Sequence, residues 1–449
     1  MQKSFLLLGF LILTCSLSDA SSRLTRFPSS VRKMTLAPGD TVRIADGTYD
    51  SAKIRFAAKG TSGAPVVLMA QTPGGVTFIN ESQVYMDGEY LVVDGFRFES
   101  MRDRSAYIST TDSTSNCRIS NCLFDGSACS PNISKSCNFV QLRGFCNEVS
   151  GCAFLDKPTL GVSLGVNIHG KTPSRHVIKG NFFYRPTILR RGGSTLNGQE
   201  CIRVGSSTWS MSDAQCTVTD NWFYHCDGEV ETISNKSCGN LYEGNLLEEC
   251  KGTITLRHGN DCVVRGNFFM GNGKKGSGGV RIIGERHVVE NNIMSGLRGK
   301  GAFSAVSVVN GYENPEDFEY FQVKDAVVRG NGIYDCDSGL LIGYAPRERN
   351  ALPPSGLKVE NNTVVCNSER QCPVSFSGGT VRSDVSWKKN LIFGGTQLNA
   401  EYRQARRRPG CPDVSEQLRD LRAAIGAGTF WKPIIDDLYE HTSNPKLQD

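Results

Sequence analysis

Three segments decide the fold of this chain: Asn221-Trp222-Phe223, Asn245-Leu246-Leu247 and Asn267-Phe268-Phe269. Each places two large apolar residues directly after an asparagine, and the asparagine recurs after 24 and then 22 residues. A repeat of twenty-odd residues is typical of stacked structural units, because a single unit cannot bury its apolar face alone. The segments therefore predict a solenoid.

Copies of this unit extend through most of the chain, and each combines a glycine or asparagine, a few apolar residues and a turn. The further copies begin at Gly95, Asn121, Gly151, Asn181, Asn292, Asn331, Asn362 and Asn390. Short β-rich runs, such as residues 253–256 and 280–283, separate them in place of long amphipathic helices. Leucine-rich, ankyrin and tetratricopeptide arrays are excluded because they need a helix in each repeat. We predict an all-β fold, a right-handed single-stranded parallel β-helix (β-solenoid).

The asparagines of the repeat are predicted to form a ladder. Strands of successive coils stack about 4.8 Å apart, so equivalent residues form columns. Asparagine at a turn tolerates a left-handed backbone and satisfies the amides of its neighbours. The alternative is asparagine in the hairpin turns of a β-sandwich, and the regular spacing of the copies disfavours it.

The N-terminus departs from the repeat. Residues 1–20 are predicted to be a signal peptide, because Lys3 precedes an apolar run and Ser18 and Ala20 offer a small-residue cleavage site. The apolar run is too short to span a bilayer. We therefore expect a secreted, extracellular protein (periplasmic in a bacterium) that has no membrane partner after signal removal.

The C-terminus departs from the repeat as well. We expect the β-helix over residues 21–395 and a C-terminal cap over residues 396–449 that covers the last coil. Asp413 is expected to N-cap a short helix that ends at Ala424. The basic run at 406–408 is interpreted as a solvated turn.

Composition limits the partners of the chain. The net charge of +5 is a mild excess that fits an acidic partner, and no nucleic-acid-binding motif stands out, so we expect no nucleic-acid partner. Of the 17 cysteines, all but Cys15 remain after signal removal. Disulfides are expected in an oxidising compartment. Free thiols stacked inside the coil are equally compatible, since Cys226, Cys250 and Cys336 each follow their asparagine by five residues.

The densest polar cluster lies between Asn197 and Glu285. Within it, Glu229 and Glu231 are two residues apart, so on a strand they point to the same face. Carboxylates so close repel each other unless a cation lies between them, and an all-oxygen ligand set favours Ca²⁺ over Zn²⁺. The alternative is two exposed glutamates on a solvated strand.

Three basic residues accompany this pair. Lys236, Arg257 and Arg281 precede the next asparagine marker by 9, 10 and 11 residues, so a stacked coil would place them on successive turns at nearly the same position. A row of cations beside carboxylates suits a groove for a polyanion. The alternative is three exposed basic residues with no ligand.

The segments that contain these residues begin at Asn197 (Asn-Gly-Gln-Glu-Cys-Ile-Arg-Val-Gly), Gly228 (Gly-Glu-Val-Glu), Ser234 (Ser-Asn-Lys-Ser-Cys-Gly-Asn), Thr255 (Thr-Leu-Arg-His-Gly-Asn) and Gly278 (Gly-Gly-Val-Arg-Ile-Ile-Gly-Glu). They resemble polysaccharide lyase family 6, the alginate lyases and chondroitinase B. The resemblance extends from about residue 35 to residue 395 and is sharpest over these segments.

The resemblance implies a role for each residue of the cluster. It implies a Ca²⁺ site at Asn197, Glu229 and Glu231. It implies a catalytic base at Lys236, an acid at Arg257 and contacts with the sugar at His258 and Arg281. Gln199 occupies a variable place before Glu200, which leaves open whether Glu200 assists at the metal.

The implied reaction is β-elimination in an acidic, uronate-containing polysaccharide. The base removes the proton at C5, Ca²⁺ neutralises the adjacent carboxylate, and the product carries a 4,5-unsaturated sugar. Alginate is the expected substrate, and dermatan or chondroitin sulfate is the alternative. A polygalacturonase-like hydrolase would need a separate acid and base carboxylate pair, and a non-catalytic glycan-binding β-helix would not need Lys236.

The surroundings of Lys236 give two further expectations. Residues 235–240 are rich in glycine and asparagine, so we expect an exposed turn in which Lys236 packs little. Asn235-Lys236-Ser237 is also a glycosylation acceptor motif. A glycan there would block a polymer, so Asn235 is predicted to be unmodified in active protein.

Overall fold

The chain winds as a right-handed parallel β-helix, as predicted, and successive coils add strands to three long parallel sheets. The computed structural model describes residues 20–101, 106–170, 172–395 and 409–443. The predicted signal peptide, apart from Ala20, and the basic run at 406–408 lie outside the described residues. Through most of the helix a coil runs from sheet 2 to sheet 1 and then to sheet 3, as defined below.

Sheet 1 has 14 strands, at Ser22–Thr25, Thr41–Ile44, Val66–Ala70, Leu91–Asp94, Arg118–Ser120, Glu148–Ser150, Val177–Lys179, Thr217–Thr219, Leu241–Glu243, Val263–Arg265, Val288–Glu290, Val327–Arg329, Lys358–Glu360 and Ser386–Lys388. Sheet 2 has 12 strands, at Lys53–Lys59, Gln83–Glu89, Ala106–Thr110, Asn138–Leu142, Leu164–Val166, Ile202–Gly205, Glu231–Lys236, Thr253–His258, Val280–Ile282, Val306–Val309, Ser338–Tyr344 and Cys372–Phe376. Sheet 3 has 13 strands, at Gly47–Asp50, Val76–Asn80, Phe96–Met101, Leu123–Asp125, Ala153–Leu155, Phe182–Tyr184, Trp222–Tyr224, Leu246–Glu248, Phe268–Met270, Ile293–Ser295, Gly332–Tyr334, Thr363–Val365 and Leu391–Phe393.

Smaller elements complete the fold. Two short strand pairs lie at Asn132–Ser136 with Thr159–Leu160 and at Arg190–Arg191 with Ser194–Thr195. Short 3-10 helices lie at Pro28–Lys33, Ser207–Trp209, Gly301–Phe303 and Arg382–Asp384. Two α-helices follow the last coil, α1 at Ser415–Ala424 and α2 at Lys432–Ser443. No helix of the described residues is long and apolar enough to cross a membrane.

The interior of the solenoid is built from columns of identical side-chain types. Phe124, Phe154, Phe183 and Phe223 come from successive strands of sheet 3 and stack face to face, with ring centroids 4.7–5.0 Å apart. In-register parallel strands place equivalent residues directly above one another. The repeat in the sequence is therefore the packing period of the core.

The predicted asparagine ladder is present at the turn between sheet 1 and sheet 3. From Asn221 onward, each side-chain oxygen accepts hydrogen bonds from the backbone N–H and the side-chain amide of the preceding member, at 2.9–3.1 Å. The members are Asn181, Asn221, Asn245, Asn267, Asn292, Asn331, Asn362 and Asn390. The ladder thus satisfies buried backbone donors that no strand pairs.

The expectation of a left-handed backbone at the ladder asparagines is wrong. The positive φ angle falls one residue earlier, as at Asp220 (54°) and Asn291 (55°). Asn121 has a positive φ of 49° and occupies this earlier position, so it is not a ladder member. The left-handed residue makes the sharp corner, and this corner turns the next side chain inward.

Interior cysteines of the described residues, such as Cys201, Cys226 and Cys250, are free thiols, so the expected disulfides are not formed among them in this structure. The alternative of stacked thiols describes what is seen. Cys226 lies between Cys201 and Cys250 in one interior column, and burial raises the pKa of its thiol well above the usual value, with both neighbours adding to the rise. Cys122 and Cys152 form a second such pair.

Residues 409–443 of the C-terminal segment form helices, as predicted, and these helices pack against the side of the solenoid and not over its last coil. Trp431 and Ile435 of this segment pack against Phe182, Trp222 and Leu246 on the outer face of sheet 3. The indole N–H of Trp431 donates to the carbonyl of Gly151 (2.8 Å). The physical reason is that this face of sheet 3 is apolar, and its burial against the helices stabilises the fold.

The helix boundaries also differ from the prediction. Helix α1 starts at Ser415, with Val414 in the N-cap position. The carboxylate of Asp413 accepts the backbone N–H of Ser415 (3.0 Å), so it lies one residue before the predicted place. Helix α2 was not predicted.

Candidate active site

The predicted basic residues converge on sheet 2. Lys236, Arg257 and Arg281 belong to three successive strands of that sheet. The strand register pairs Lys236 with His258 and pairs Arg281 with Thr255. The predicted stacking is therefore correct at the level of the strands, while Arg281 lies about three residues away from the level of Lys236 along the strand direction.

A β-bulge sets the direction of the Arg257 side chain. Asn235 pairs with Leu256, and the next pair joins Lys236 to His258, so the register passes over Arg257. A bulge of this kind locally increases the twist and redirects a side chain. Arg257 and His258 are consequently both presented near the end of the strand that carries Lys236.

The segment around Lys236 is not the exposed turn that the sequence predicted. Lys236 ends a strand and is half-buried. Asn235 is fully buried, and its side-chain amide donates to the carbonyls of Ser237 (2.9 Å) and His258 (2.7 Å). A glycan does not fit at this position of the folded chain, which agrees with the prediction of an unmodified Asn235.

His258 is buried between these cations. Burial lowers the pKa of its imidazole to about 3, and the charges of Arg257 and Lys236 lower it further, against a small opposing contribution of the Phe318 backbone. Within the described part of the chain, neither ring nitrogen has a hydrogen-bond partner of good geometry. His258 is therefore a neutral side chain with free polar atoms, as a sugar-binding residue requires.

The acidic residues gather at the opposite end of the Lys236 strand. Glu231 is the first residue of the strand and is buried; its carboxylate accepts from the Ser234 hydroxyl (2.5 Å) and lies 3.8 Å from the Arg281 guanidinium. Glu229 precedes the strand and accepts the backbone N–H groups of Gly198 (2.9 Å) and Gln199 (2.8 Å). The two glutamates are thus anchored by different partners and are not a solvated pair.

A third carboxylate, that of Glu200, joins this group. Burial raises the pKa of the Glu229 carboxyl to about 8, and the charges of Glu200 and Glu231 add to the rise while the Gln199 amide opposes it. One oxygen of Glu200 is buried without a hydrogen-bond partner in the described residues. Such a cluster is unfavourable without a compensating cation.

These residues fit a hard divalent cation. Asn197 and Glu229 line one cleft of about 410 Å³, and the orphaned oxygen of Glu200 lies beside Glu229. No group of three or more His, Cys, Asp and Glu side chains in the described residues has the arrangement of a metal site. The candidate set is instead two glutamates and one amide oxygen, all hard ligands, and Ca²⁺ completes such sets with water and backbone oxygens.

Buried cations below the carboxylates were missed by the sequence analysis. The Arg185 guanidinium is buried and donates to the carbonyls of Thr159 (2.9 Å) and Glu200 (3.3 Å). The Lys157 ammonium is also buried and donates to the Thr159 hydroxyl (2.7 Å). Both side chains occur outside the matched segments, so the sequence offers no signal for them.

Tyr320 is a further residue that the sequence analysis missed. Its hydroxyl oxygen accepts hydrogen bonds from Arg257 (2.6 Å) and from Arg281. Both guanidinium groups also lie over its ring, 4.4 and 5.3 Å from the centroid. Tyr320 belongs to the long connection after the Val306–Val309 strand, and the spacing of 39 residues between Asn292 and Asn331 is the one sequence signal of this insertion.

Two clefts lie beyond the two ends of the Lys236 strand. The first is the cleft at Asn197 and Glu229 described above, which Lys251 and Phe303 also line. The second, of about 370 Å³, is lined by Thr208, Trp209, Met211, Ser212, Asp213 and Asp317. The loop that contains residues 208–213 of this lining follows Gly205, the register partner of Lys236. The Lys236 strand therefore lies between two clefts, with the carboxylates at the end near the first cleft and Lys236 at the end near the second.

A family model described as Chondroitinase B matches residues 29–371, well over half of the chain and all of these site residues. The protein belongs to polysaccharide lyase family 6. This agrees with the resemblance of the segments around Asn197, Lys236 and Arg257.

Solved structures resemble this family 6 member over most of its length. The alginate lyase AlyGC is 29% identical over 86% of this chain, with a TM-score of 0.78; the match covers 53% of AlyGC, so this chain spans about half the length of that relative. A mannuronic-acid-specific family 6 lyase from the human gut microbiota is 25% identical over 94% of this chain and 99% of that one, with a TM-score of 0.79. Among curated proteins, none matches this family 6 member.

Proposed function

We propose that this protein is a secreted lyase that cleaves a uronate-containing polysaccharide, alginate, by Ca²⁺-assisted β-elimination. The observation that carries the proposal is the placement of Lys236, Arg257 and Arg281 on three successive strands of sheet 2, with the buried Glu231 carboxylate 3.8 Å from Arg281. A cationic row beside buried carboxylates suits a substrate that carries a carboxylate on every sugar.

Each residue has a role that follows from its position. Lys236, in its neutral form, accepts the proton from C5 of the uronate. Arg257 holds the negative charge that develops near the leaving oxygen, because its guanidinium is a fixed cation with several donors. His258 is neutral and buried, so it contributes a hydrogen bond to the sugar and leaves the charge of the groove unchanged.

The carboxylates belong to the Ca²⁺ site. Asn197, Glu229 and Glu231 would hold the ion, with Glu200 as the neighbouring carboxylate. When bound, Ca²⁺ supplies positive charge that offsets the substrate carboxylate and makes the C5 proton more acidic. The backbone amides of Gly198 and Gln199 keep Glu229 in place for this role.

A hydrolase is less compatible with this geometry. Inverting and retaining glycosidases use a carboxyl pair that flanks the scissile bond, with one carboxyl as acid and the other as base or nucleophile. Here Glu229 is bonded to backbone amides and Glu231 to Ser234 and Arg281. Both carboxylates are occupied, and the row of cations would have no role in hydrolysis.

Alginate is proposed as the substrate because two similar family 6 proteins are described as an alginate lyase and as a mannuronic-acid-specific lyase. The Chondroitinase B model makes dermatan sulfate the second candidate. Secretion is proposed from the signal-like residues 1–20.

The test is incubation of the purified protein with alginate blocks, chondroitin sulfate and dermatan sulfate, with Lys236→Ala as the control. The unsaturated product is measured by its ultraviolet absorbance. We expect the fastest absorbance rise on an alginate block and none with the variant. Faster cleavage of dermatan sulfate would show that dermatan sulfate, and not alginate, is the substrate. New reducing ends without a rise in absorbance would show that the protein is a hydrolase and not a lyase.

A further inference from the structure

The second cleft, lined by Trp209, Asp213 and Asp317 among others, lies next to the proposed base. Asp213 pairs with Cys238, which follows Lys236 by two residues. Two residues of extended chain span about 7 Å. Met211, another lining residue, accepts a contact from the side-chain amide of Asn260 (3.9 Å), and Asn260 follows His258 by two residues. A sugar that neighbours the one bound at Lys236 can therefore reach this cleft.

The apolar part of the lining is open to solvent. Trp209 is 36% exposed and Met211 is 41% exposed, whereas Trp222 and Trp431 are fully buried. Large apolar side chains left exposed in a cleft of about 370 Å³ are typical of a binding site. A pyranose ring carries an apolar face of C–H groups, and an indole ring offers a rigid apolar surface of matching size. The exposed Trp209 therefore suits a sugar ring.

The polar part of the lining offers hydrogen-bond acceptors and no cation. Asp213 and Asp317 are exposed, and neither forms an ion pair with a residue that the structure describes. The Ser210 hydroxyl donates to the Asp317 carbonyl (3.0 Å), which joins the two loops that carry these aspartates. Sugar hydroxyls can donate to such carboxylates, while the carboxylate of a uronate is repelled by them. The second cleft thus differs in charge from the cationic centre of the site.

We propose that the second cleft is a sugar subsite, in which Trp209 stacks on one pyranose ring of the bound polysaccharide and Asp213 and Asp317 accept hydrogen bonds from its hydroxyl groups. The carboxylate of that sugar points away from the two aspartates. No reacting atom lies in this subsite, so it contributes equally to the binding of the substrate and of the transition state. This inference rests on the proposed lyase function.

The experiment compares Trp209→Ala and Trp209→Phe with Tyr85→Ala in the full-length protein. Trp209→Phe keeps an aromatic face, so it should rescue part of the stacking that Trp209→Ala removes. Tyr85 has a similar exposure of 38% and lies in sheet 2, five strands before the Lys236 strand, so Tyr85→Ala is the matched control. Thermal melting of each variant reports whether the fold is retained.

The kinetic constants on alginate oligosaccharides should separate binding from chemistry. We expect Trp209→Ala to raise KM at least about fivefold while kcat changes less than about twofold, because uniform binding is lost. Trp209→Phe should have a KM between those of the wild type and Trp209→Ala, and Tyr85→Ala should match the wild type. A double variant, Asp213→Ala with Asp317→Ala, should also raise KM, because the sugar hydroxyls lose their acceptors.

Binding can be measured without turnover in a Lys236→Ala background. Trp209 is the most exposed of the four tryptophans, so a bound oligosaccharide should change the tryptophan fluorescence. Adding Trp209→Phe should remove this change while calorimetry still detects binding. Adding Trp209→Ala should weaken the binding itself.

Four outcomes would overturn the assignment. The first is a KM of Trp209→Ala within about twofold of the wild type, and the second is a loss of kcat at unchanged KM. The third is an equal effect of Tyr85→Ala. The fourth is a lower KM in the double aspartate variant, which would show that the two carboxylates only repel the substrate. If the wild-type protein cleaves no uronate polymer, the proposed function itself fails, and this result is distinct from the other four.

Discussion

Lys236 lies directly opposite His258 on the neighbouring strand of sheet 2, and the bulge leaves Arg257 between this pair and the Asn235–Leu256 pair. The positive charges of Lys236 and Arg257 therefore act on His258 and lower further the pKa of an imidazole that burial already keeps neutral. The proposed base, Lys236, thus lies beside the neutral side chain of His258, which does not compete with it for the substrate carboxylate.

Replacement of Lys236 by alanine should abolish the elimination and preserve the fold. Lys236 is the last residue of its strand and half-buried, so its removal should change the free energy of unfolding by less than about 1 kcal/mol. Loss of the base should lower kcat by at least about a hundredfold. Product absorbance and thermal melting measure the two effects.

Lys59→Ala is the matched control for this variant. Lys59 ends the first strand of the same sheet and forms an exposed ion pair with Glu89 (2.9 Å), far along the solenoid from the site. It should keep full activity. A Lys236→Ala enzyme as active as Lys59→Ala would exclude Lys236 as the base.

Removal of divalent metal should inactivate the enzyme, and added Ca²⁺ should restore it. The reason is the cluster of Glu200, Glu229 and Glu231, in which the charges of Glu200 and Glu231 add to the rise that burial causes in the pKa of the Glu229 carboxyl. Ca²⁺ should also raise the melting temperature of the chelated protein, because a ligand of the folded state stabilises it.

Glu229→Gln tests the same site independently of activity, since it should abolish this Ca²⁺-induced shift. Full activity in excess chelator, with no metal found by elemental analysis, would contradict the Ca²⁺ assignment.

Acid should destabilise the protein through a buried histidine remote from the carboxylates. Burial lowers the pKa of His287 from 6.5 to about 4, and its ring is bonded to the Cys262 N–H and the Ile283 carbonyl. Below pH 6.5 the unfolded chain binds a proton that the folded chain refuses, so the stability that is complete above pH 6.5 is lost as the pH falls towards 4. The loss for this group at pH 5 is on the order of 2 kcal/mol.

His287→Gln should reduce the stability difference between pH 7 and pH 5, measured by urea unfolding at both values. His169→Gln is the control, since His169 is half exposed and paired with Asp112. Equal pH dependence in the wild type and His287→Gln would refute the assignment to His287.

A break in the asparagine ladder should destabilise the whole solenoid. Asn245 accepts the backbone N–H and the side-chain amide of Asn221 and donates to Asn267 and the Val218 carbonyl. Asn245→Ala leaves the buried backbone N–H of Asn221 without an acceptor, while the Asn221 side-chain amide keeps its bonds to the Ile178 and Thr219 carbonyls. The expected cost is about 2 kcal/mol in the free energy of unfolding.

Arg265→Ala is the surface control for this ladder variant. It removes an exposed ion pair with Glu243, so it should lower the free energy of unfolding by less than about 1 kcal/mol. Chemical denaturation of both variants decides the point, and equal effects would mean that the ladder contributes no more than a surface pair.

The sequence alone determined the solenoid and the core of the site. Equivalent residues of a parallel β-helix stack because each coil pairs in register with the next, so a local repeat such as that of Asn221, Asn245 and Asn267 is a direct image of the packing. The same logic brought Lys236, Arg257 and Arg281 to neighbouring strands. No such column rule applies to the connections between strands.

Only the tertiary structure showed which residues of the connections and of the C-terminal helices contact the site and the outer face of the solenoid. Tyr320 is 63 residues from Arg257 in the chain and lies in an insertion without a repeat, and Trp431 reaches across 280 residues to the Gly151 carbonyl. Such contacts depend on how a loop or a terminal helix finds an apolar or polar surface of the finished solenoid. That surface exists only after the coils have stacked, so the order of residues along the chain does not encode it locally.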